Sequence, residues 1–329
     1  MKTVQPVGIT AIGACAPPGI LTNFDLEKIV DTSDEWIRSR SGICRRHIAD
    51  ADTASSDLAF LASQQALERA GLTPSEVDLI VVATCTPDMP LPSTACLLQH
   101  RLGADNAAAF DLQAACTGFI YAVNMAAPAI ATGQFRNALV VGVDILSRIT
   151  DYTDRGTCVL LGDGCGAVVL RPVPEGRGIL SSYLRADGGG ADLLYITAGG
   201  TRTPASEETI RAGQHFLRMN GSEVFKFAVR AVEDAILTSL DRAGLTTADV
   251  DVIIPHQANI RIIEAAQKRL DIPSDRWVIN IQDYGNTSAG SIPLAMNEAY
   301  EQGRIHEGDV IVMVGFGGGL TWGAMTMRW

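Results

Sequence analysis

Apolar residues recur at helical spacing along several stretches of the chain. The spacing is clearest in the second half, at Phe225, Val229, Val232, Ile236 and Leu240. It predicts an amphipathic helix, which an Ala-Gly-Leu sequence ends and a nearly continuous apolar, strand-like run follows. Helices that alternate with apolar strands indicate an α/β protein whose sheets are mainly parallel and covered by helices.

The pattern occurs twice along the chain, and most matching stretches lie 173 positions apart (240 minus 67). The matched pairs are 67–73 with 240–246, 77–81 with 250–254, 139–142 with 312–315 and, with a small shift, 111–113 with 280–282. Four matches in the same order favour an internal duplication. We therefore predict two halves, residues 1–176 and 177–329, packed back to back in five layers, α/β/α/β/α.

Cys116 lies where a predicted strand that ends at Gln113 turns into a helix-like run to Ala131. A sulfur at this position is close to the positive end of the helix dipole, which favours the thiolate form of a nucleophile. The alternative is a small buried cysteine that fills a tight strand–helix junction.

Two polar side chains of the second half are predicted to lie near Cys116. His256 follows the strand that matches the first-half strand at Ala83, and Asn286 follows the stretch 280–282, which we predict as a strand. A packed core histidine and a helix-capping asparagine are the ordinary alternatives. Because positions related by a pseudo-twofold axis converge where two halves meet, we expect all three residues at that seam.

Composition excludes several classes of protein. The chain has 329 residues, a formal net charge of −11 and a pI near 4.9, which argue against nucleic acid as the main partner. Its seven cysteines include no C-x-x-C pair, which favours a reducing cytoplasm over disulfides or a zinc site. No apolar run approaches the roughly 18 residues of a membrane span. The glycine-rich stretch 186–215 is predicted to be a long surface loop, such as a lid or a channel wall.

Several motifs occur in order along nearly the whole chain: Asp34–Ile37, Ala114–Phe119, Gly162–Ala167, Pro255–Asn259, Tyr284–Pro293 and Gly315–Gly323. They resemble the motifs of β-ketoacyl-acyl-carrier-protein synthase III, a thiolase-fold condensing enzyme. The resemblance implies a duplicated α/β fold with mixed sheets and a homodimer that starts fatty acid synthesis. Acyl-CoA would be a substrate, and no cofactor is implied.

The resemblance also implies a role for each motif. Cys116 would take an acyl group from acyl-CoA, and malonyl-acyl-carrier protein would then lose CO₂. His256 and Asn286 would donate hydrogen bonds to the enolate oxygen, while the backbone N–H groups of Cys116 and Gly318 would meet the tetrahedral oxyanion. The glycines at 317–319 could also suggest a phosphate loop, but no Lys-Ser/Thr follows them.

Substrate contacts are implied in the same way. The residues expected at CoA are Thr32, Trp36, Arg40, Arg155, Gly221, Ala258 and Asn259. Ser222 stands where the family commonly has asparagine beside the pantetheine arm, so that contact is in doubt. Leu91, expected to reach the partner's acyl pocket, is smaller than an aromatic residue and leaves the primer length open; Phe316 is also expected in that pocket.

Acyl carrier protein is acidic, so its docking patch should be basic. The candidates lie on two predicted helices, at Lys226, Arg230, Arg261, Lys268 and Arg269. A solvated helix face is the alternative explanation of the same charges.

Three rival functions stay open at this stage. One is a specialised relative, such as an alkylquinolone-type or long-chain ketoacyl synthase, in which the three candidate catalytic residues would be the same. Another is a non-catalytic partner subunit, although such subunits typically lose the nucleophile. A thiolase proper is disfavoured because it needs a second active cysteine near the C-terminus, and the last cysteine here is Cys165.

Overall fold

A computed structural model describes residues 4–329. Its strands are β1 (Val7–Cys15), β2 (Gly19–Thr22), β3 (Arg45–Ile48), β4 (Leu79–Ala83), β5 (Ala108–Leu112), β6 (Ala138–Ile145), β7 (Asp163–Pro172), β8 (Gly178–Ala186), β9 (Leu194–Ile196), β10 (Leu217–Met219), β11 (Val252–Pro255), β12 (Val310–Gly317) and β13 (Thr321–Arg328). Its α-helices are α1 (Asn23–Leu26), α2 (Asp34–Ser41), α3 (Ser55–Ala70), α4 (Thr94–Leu102), α5 (Gly118–Ala131), α6 (Arg155–Cys158), α7 (Glu207–Arg211), α8 (Gly221–Arg242), α9 (Ile260–Leu270), α10 (Ile281–Tyr284) and α11 (Ser291–Glu301).

Two large sheets form the framework. The first has the strand order β1-β7-β6-β4-β5, in which β4 runs parallel to β5 and β6 while β7 is antiparallel to β1 and β6. The second has the order β11-β12-β13-β8, with only β11 and β12 parallel. The mixed sheets implied by the resemblance are confirmed, and the mainly parallel sheets predicted from the apolar pattern are wrong. An apolar run indicates that both faces of a strand are covered by other elements. It does not indicate whether the neighbouring strand is parallel or antiparallel.

Five layers result from the packing of helices on these sheets. The helices α5 and α11 lie between the two sheets, where the largest apolar core includes Phe119, Ile120, Ile292 and Met296. On the outer face of the first sheet lie α3 and α4, and on the outer face of the second lie α8 and α9. The predicted α/β/α/β/α arrangement is confirmed. The chain passes from one sheet to the other between Pro172 and Gly178.

The second half departs from the repeat at its outer edge. We predicted a strand at 280–282, and this prediction is wrong because α10 begins at Ile281. Before it, Trp277 forms a single parallel bridge to Ile253. The N–H of Asn280 then donates to the side chain of Gln257 and not to a neighbouring strand. The pairing with β11 therefore ends before residues 280–282.

The stretch 186–215 is more ordered than the predicted loop. Strand β9 pairs antiparallel with β10 in a small hairpin that belongs to neither large sheet. Between them, the short helix α7 is capped by Ser206. Each strand of this hairpin has three residues and is only partly buried. The sequence therefore has no long apolar run here, which is why the two strands were not predicted.

Candidate active site

Cys116 lies in a sharp strand-to-helix turn. After β5, Ala115 adopts a φ of +49°, which is strained for a residue with a Cβ, and a 3₁₀ turn (Ala115–Thr117) leads into α5. The backbone of Gly317 at the end of β12 packs against this turn. A Cβ on residue 317 would come within 2.7 Å of the Cys116 nitrogen, so glycine is required for this close approach.

The second half contains an equivalent turn. Ser288 lies 173 positions after Ala115 (288 minus 115) and also has a φ of +49°. Its 3₁₀ turn (Ser288–Gly290) leads into α11 as the first turn leads into α5. At the same offset, Cys116 corresponds to Ala289. The duplication therefore provides two strained turns, of which only the first carries a thiol.

Two cavities meet at Cys116. The larger, of about 740 Å³, is lined by Cys116, His256 and Asn286 and extends to exposed residues such as Arg40 and Arg261. The smaller, of about 450 Å³, shares Cys116 and Asn286 with it. Its apolar lining includes Leu146, Ile149, Leu161, Ile196 and Leu217. The structure thus brings together the three residues predicted at the seam and places the thiol between a long channel and an apolar pocket.

His256 is held on both sides of its ring. Its backbone N–H donates to the carbonyl of Val314, and its ring packs edge-on against Phe316 at a centroid distance of 5.2 Å. Its Nδ1 lies 2.7 Å from the Ser291 hydroxyl, which also accepts the N–H of Gln257 at 3.4 Å. When the Ser291 hydroxyl donates to Nδ1, the proton of the neutral ring lies on Nε2.

Burial keeps both the histidine and the cysteine neutral. It lowers the pKa of His256 to about 3. It also raises the pKa of Cys116 to about 12, and a hydrogen bond with Ser288 opposes this rise without overcoming it. Desolvation of the sulfur thus opposes the thiolate that the position at the start of α5 predicts. The resting pair is a thiol and a neutral imidazole.

Asn286 is fixed by its own backbone. Its N–H donates to the Leu160 carbonyl at 2.8 Å, and its carbonyl accepts from Gly162 at 2.9 Å. Its side-chain oxygen accepts the N–H of Ser288 at 2.9 Å. The amide nitrogen of the side chain is thereby left to donate at the cavity wall.

The backbone donors predicted for the oxyanion are also in place. Among residues 4–329, neither the N–H of Cys116 nor that of Gly318 donates to a backbone or side-chain acceptor of another residue. Gly318 lines the smaller cavity together with Cys116. Thr321 holds this turn, because its hydroxyl lies within hydrogen-bonding distance of the carbonyls of both Ala114 and Gly318.

Most residues expected at CoA lie around the larger cavity: Trp36, Arg40, Gly221, Ala258 and Asn259 line it. The Arg155 guanidinium lies 4.9 Å above the Trp36 ring, where two stacking gaps would need roughly 7 Å. An adenine between them would require Arg155 to move outward. The hydroxyl of Thr32 is buried and has no hydrogen-bond partner within residues 4–329, and Thr32 lines neither of the two cavities.

The two residues expected at the acyl pocket do not line the smaller cavity of this chain. Phe316 lines the larger cavity beside His256 instead of the smaller, apolar one. This placement follows from strand alternation, which turns Phe316 toward the face of the sheet that α8 and α9 cover. Leu91 is 84% exposed and lines neither cavity of its own chain. Its predicted role in a partner's pocket stays a prediction.

The basic candidates for carrier docking lie on the adjoining helices α8 and α9. Lys226 is paired with Glu223 at 2.8 Å and Arg269 with Glu233 at 2.6 Å, so both charges are partly neutralised. Arg261 lies over the Phe225 ring at 5.3 Å and lines the larger cavity. The other two candidates, Arg230 and Lys268, are exposed.

Three supporting residues were not singled out from the sequence. Ser288 and Ser291 lie inside the Tyr284–Pro293 motif, where hydroxyls next to a candidate asparagine could have been noticed. Asp144 is completely buried in β6. Its carboxylate accepts from the N–H groups of Cys85 and Ala289, and burial raises its pKa. Asp144 could have been noticed in the sequence, because it is the single acid in the otherwise apolar strand β6.

Known proteins give a consistent picture. The family described as 3-oxoacyl-[acyl-carrier-protein (ACP)] synthase III matches residues 110–188, and its C-terminal domain matches residues 240–329. The chain belongs to this family. The β-ketoacyl-[acyl-carrier-protein] synthase III of Symbiobacterium thermophilum is 55% identical over 326 residues, which cover 99% of each chain. That of Desulfitobacterium hafniense is 56% identical over 323 residues, which cover 98% of each chain.

Solved structures of synthase III agree with this assignment. The enzyme from Aquifex aeolicus superposes with a TM-score of 0.91 at 46% identity, covering 98% of this chain and all of the other. The thiolase-like fold expected from the motifs is therefore confirmed. Within residues 4–329, no helix combines the length and the apolar composition that crossing a membrane would require.

Proposed function

We propose that the protein condenses an acyl-CoA primer with malonyl-acyl-carrier protein and thereby starts fatty acid synthesis. One observation carries this proposal: a buried thiol lies between an apolar pocket and a long channel, beside two neutral hydrogen-bond donors. A hydrolase would need a base that activates water, whereas we assign His256 the role of an Nε2–H donor, with the Ser291 hydroxyl donating to Nδ1.

In the first half-reaction, Cys116 Sγ forms a bond to the thioester carbonyl of acyl-CoA. The N–H groups of Cys116 and Gly318 stabilise the oxyanion of the tetrahedral intermediate. The bond from the carbonyl to the CoA sulfur then breaks, and the proton lost by the thiol leaves with CoA. The acyl chain fits the smaller cavity, whose lining is largely apolar.

In the second half-reaction, the malonyl thioester loses CO₂, and its bonding electrons form an enolate. Nε2–H of His256 and the Asn286 amide each donate a hydrogen bond to the enolate oxygen. A neutral histidine suits this role because it donates without neutralising the carbanion by proton transfer. The carbanion then attacks the acyl thioester, the bond from carbon to Sγ breaks, and Cys116 recovers a proton.

Acylation provides the test of the proposal. Intact protein incubated with acyl-CoAs of increasing chain length should gain the mass of one acyl group, and Cys116→Ala should gain none. The series would also report the primer that the smaller cavity accepts. Failure of every acyl-CoA to label the wild-type protein would refute the condensing activity.

We also propose that CoA lies in the larger cavity with its adenine between Trp36 and Arg155, after Arg155 has moved outward. Trp36 and Arg40, which line this cavity, support the placement. Trp36→Ala should raise the KM for acyl-CoA with little change in kcat. A fall in kcat at unchanged KM would place the adenine elsewhere.

The carrier protein is proposed to dock on α8 and α9. Arg261 at the channel mouth and the exposed Arg230 and Lys268 carry its positive charge. The double variant R230E/K268E, at two exposed residues that do not line the larger cavity, should raise the KM for malonyl-carrier protein roughly tenfold, and less at high salt, while acylation by acyl-CoA is unchanged. An equal loss in both half-reactions would argue against docking there.

A homodimer is proposed through the edge of the first sheet. Strand β5 has a hydrogen-bonded neighbour on one side only, and its Phe110 is 43% exposed. An open apolar edge is a liability unless another strand or chain covers it, and twofold pairing is the commonest way to cover it. Light scattering should give twice the chain mass of 34.9 kDa, and Phe110→Asp should shift the protein toward monomer.

We place the protein in the cytoplasm, since its seven cysteines are all free. The specialised rivals are not favoured, because the curated relatives with 55–56% identity over the whole chain are synthase III enzymes.

A further inference from the structure

A second basic concavity lies far from Cys116. A cavity of about 550 Å³ is lined by four arginines and two aromatic residues, namely Arg136, Arg171, Arg177, Arg328, Tyr300 and Trp329. The chain as a whole is acidic, with 37 Asp and Glu against 26 Lys and Arg. Four guanidinium groups around one cavity are therefore not a consequence of composition.

The pseudo-twofold relation of the halves creates this cluster. Arg171 lies opposite Gly8 in the pairing of β7 with β1, and Arg328 lies opposite Gly178 in the pairing of β13 with β8. A Cβ on Gly8 would come within 2.9 Å of the Gly178 Cα, so the two glycine backbones touch. The two arginines therefore lie on either side of one backbone contact.

The cavity lies at the opposite end of the sheets from the active site. Leu170 of β7 pairs with Ala138, the first residue of β6, and β6 runs parallel to β4. Strand β5 runs parallel to β4 as well, so Cys116, which follows its last residue, lies at the end opposite to Ala138. His256 likewise follows the last residue of β11. Eight residues of β6 separate the two ends, about 25 Å at the usual rise per residue.

The guanidinium groups lack sufficient negative charge around them. Arg177 is paired with Glu307 at 2.6 Å. Within residues 4–329, no carboxylate lies within 4.0 Å of the guanidinium nitrogens of Arg136, Arg171 or Arg328. Two carboxylates lie near enough to interact with these charges, Glu76 with Arg136 and Arg171, and Asp249 with Arg328. Each carboxylate accepts hydrogen bonds from the hydroxyl and the N–H of the threonine three residues before it. Three like charges thus face one cavity with no carboxylate in direct contact, and Glu76 and Asp249 offset them only from a longer distance, which favours an anionic ligand.

We propose that this cavity binds a nucleotide polyphosphate. A diphosphate or triphosphate, with about three to four negative charges at pH 7, would neutralise the three unpaired arginines, and guanidinium groups bind phosphate in a bidentate manner. Tyr300 and Trp329, whose ring centroids are 6.0 Å apart, provide an aromatic wall for the base. The volume of about 550 Å³ accommodates a nucleotide.

Calorimetric titration at low salt without metal ions tests the proposal. ATP should bind once per chain, tripolyphosphate more weakly, and adenosine not detectably. The double variant R171Q/R328Q should lose at least about tenfold in affinity, and R171K/R328K should lose less because it keeps the charge. The matched control is Arg202→Gln, an exposed arginine outside the cavity, which should bind ATP like the wild-type protein.

Folding of the variants is checked by thermal unfolding and by acylation of Cys116. If the double variant is unstable, Arg136→Gln replaces it, since this side chain is exposed and makes no hydrogen bond within residues 4–329. The proposal would be overturned if the wild-type protein did not bind ATP. It would also be overturned if these variants bound ATP as well as the wild type, which would point to binding in the CoA channel. Tripolyphosphate that binds as tightly as ATP would refute the role of the aromatic wall.

Discussion

The two strained turns of this protein share a backbone and differ in chemistry. Ala115 and Ser288 have the same φ of +49°, and each begins a 3₁₀ turn that leads into a helix between the sheets. The first turn carries Cys116. At the equivalent position the second carries Ala289, which is buried and whose N–H donates to Asp144.

The difference shows how a duplicated fold divides one reaction between its halves. The first turn keeps the nucleophile, while the second supplies the groups that hold and assist it. Asn286 donates at the cavity, Ser288 opposes the rise in the pKa of the Cys116 thiol, and the hydroxyl of Ser291 contacts Nδ1 of His256. We expect changes in the first turn to affect acylation and changes in the second to affect decarboxylation.

The largest effect is expected from the enolate donors. Asn286→Ala should lower the rate of malonyl decarboxylation by about 10²–10³-fold, because one preorganised hydrogen bond to the enolate is lost. Acylation of Cys116 should change little. Release of CO₂ and intact mass measure the two steps separately, and an equal loss in both would mean that Asn286 serves mainly to hold the turn.

A smaller effect is expected where the two halves touch at the nucleophile. Gly317→Ala would bring a Cβ within 2.7 Å of the Cys116 nitrogen and force the first turn to shift. We expect acylation to fall about tenfold or more and the free energy of unfolding to fall by about 1–3 kcal/mol. Gly200→Ala is the matched control, because no heavy atom lies within 4 Å of the added Cβ. Normal acylation in Gly317→Ala would contradict the close contact.

The next effect isolates a positioning residue of the second turn. Ser291→Ala removes the hydrogen bond to His256 Nδ1, so kcat for decarboxylation should fall about tenfold at unchanged KM. The ¹⁵N NMR spectrum of the Ser291→Ala variant should show two tautomers of the His256 imidazole, where the wild-type protein shows one. Ser181→Ala, which removes a hydroxyl bonded to Ser239 outside the site, serves as the control. An unchanged tautomer would exclude the proposed role of Ser291.

The smallest effect concerns pH. The unfolded chain protonates His256 near pH 6.5, whereas the folded protein does so only near pH 3. The unfolded state therefore binds more protons between these values, and stability falls as the pH is lowered. One such group contributes a slope of about 1.4 kcal/mol per pH unit. Urea unfolding at pH 7, 6 and 5 should show a shallower dependence in His256→Gln; parallel curves would mean that His256 is not buried neutral.

Local patterns predicted the framework and most of the site. The repeated Ala-Gly-Leu helix ends and apolar runs predicted the five layers. The internal duplication predicted that Cys116, His256 and Asn286 lie together where the two halves meet. Strand direction could not be predicted, because an antiparallel strand covered on both faces has the same apolar pattern as a parallel one. The burial of Cys116, which opposes its thiolate form, could not be predicted either, since it depends on Gly317 and on both helices of the middle layer.

One crossed experiment tests the division of labour most directly: acylation and malonyl decarboxylation measured in both Cys116→Ala and His256→Ala. We predict that Cys116→Ala loses acylation but still releases CO₂ from malonyl-carrier protein. His256→Ala should accept the acyl group at a rate near that of the wild type and lose decarboxylation by about 10²–10³-fold. If both variants lost both activities to the same degree, the two halves would not divide the reaction.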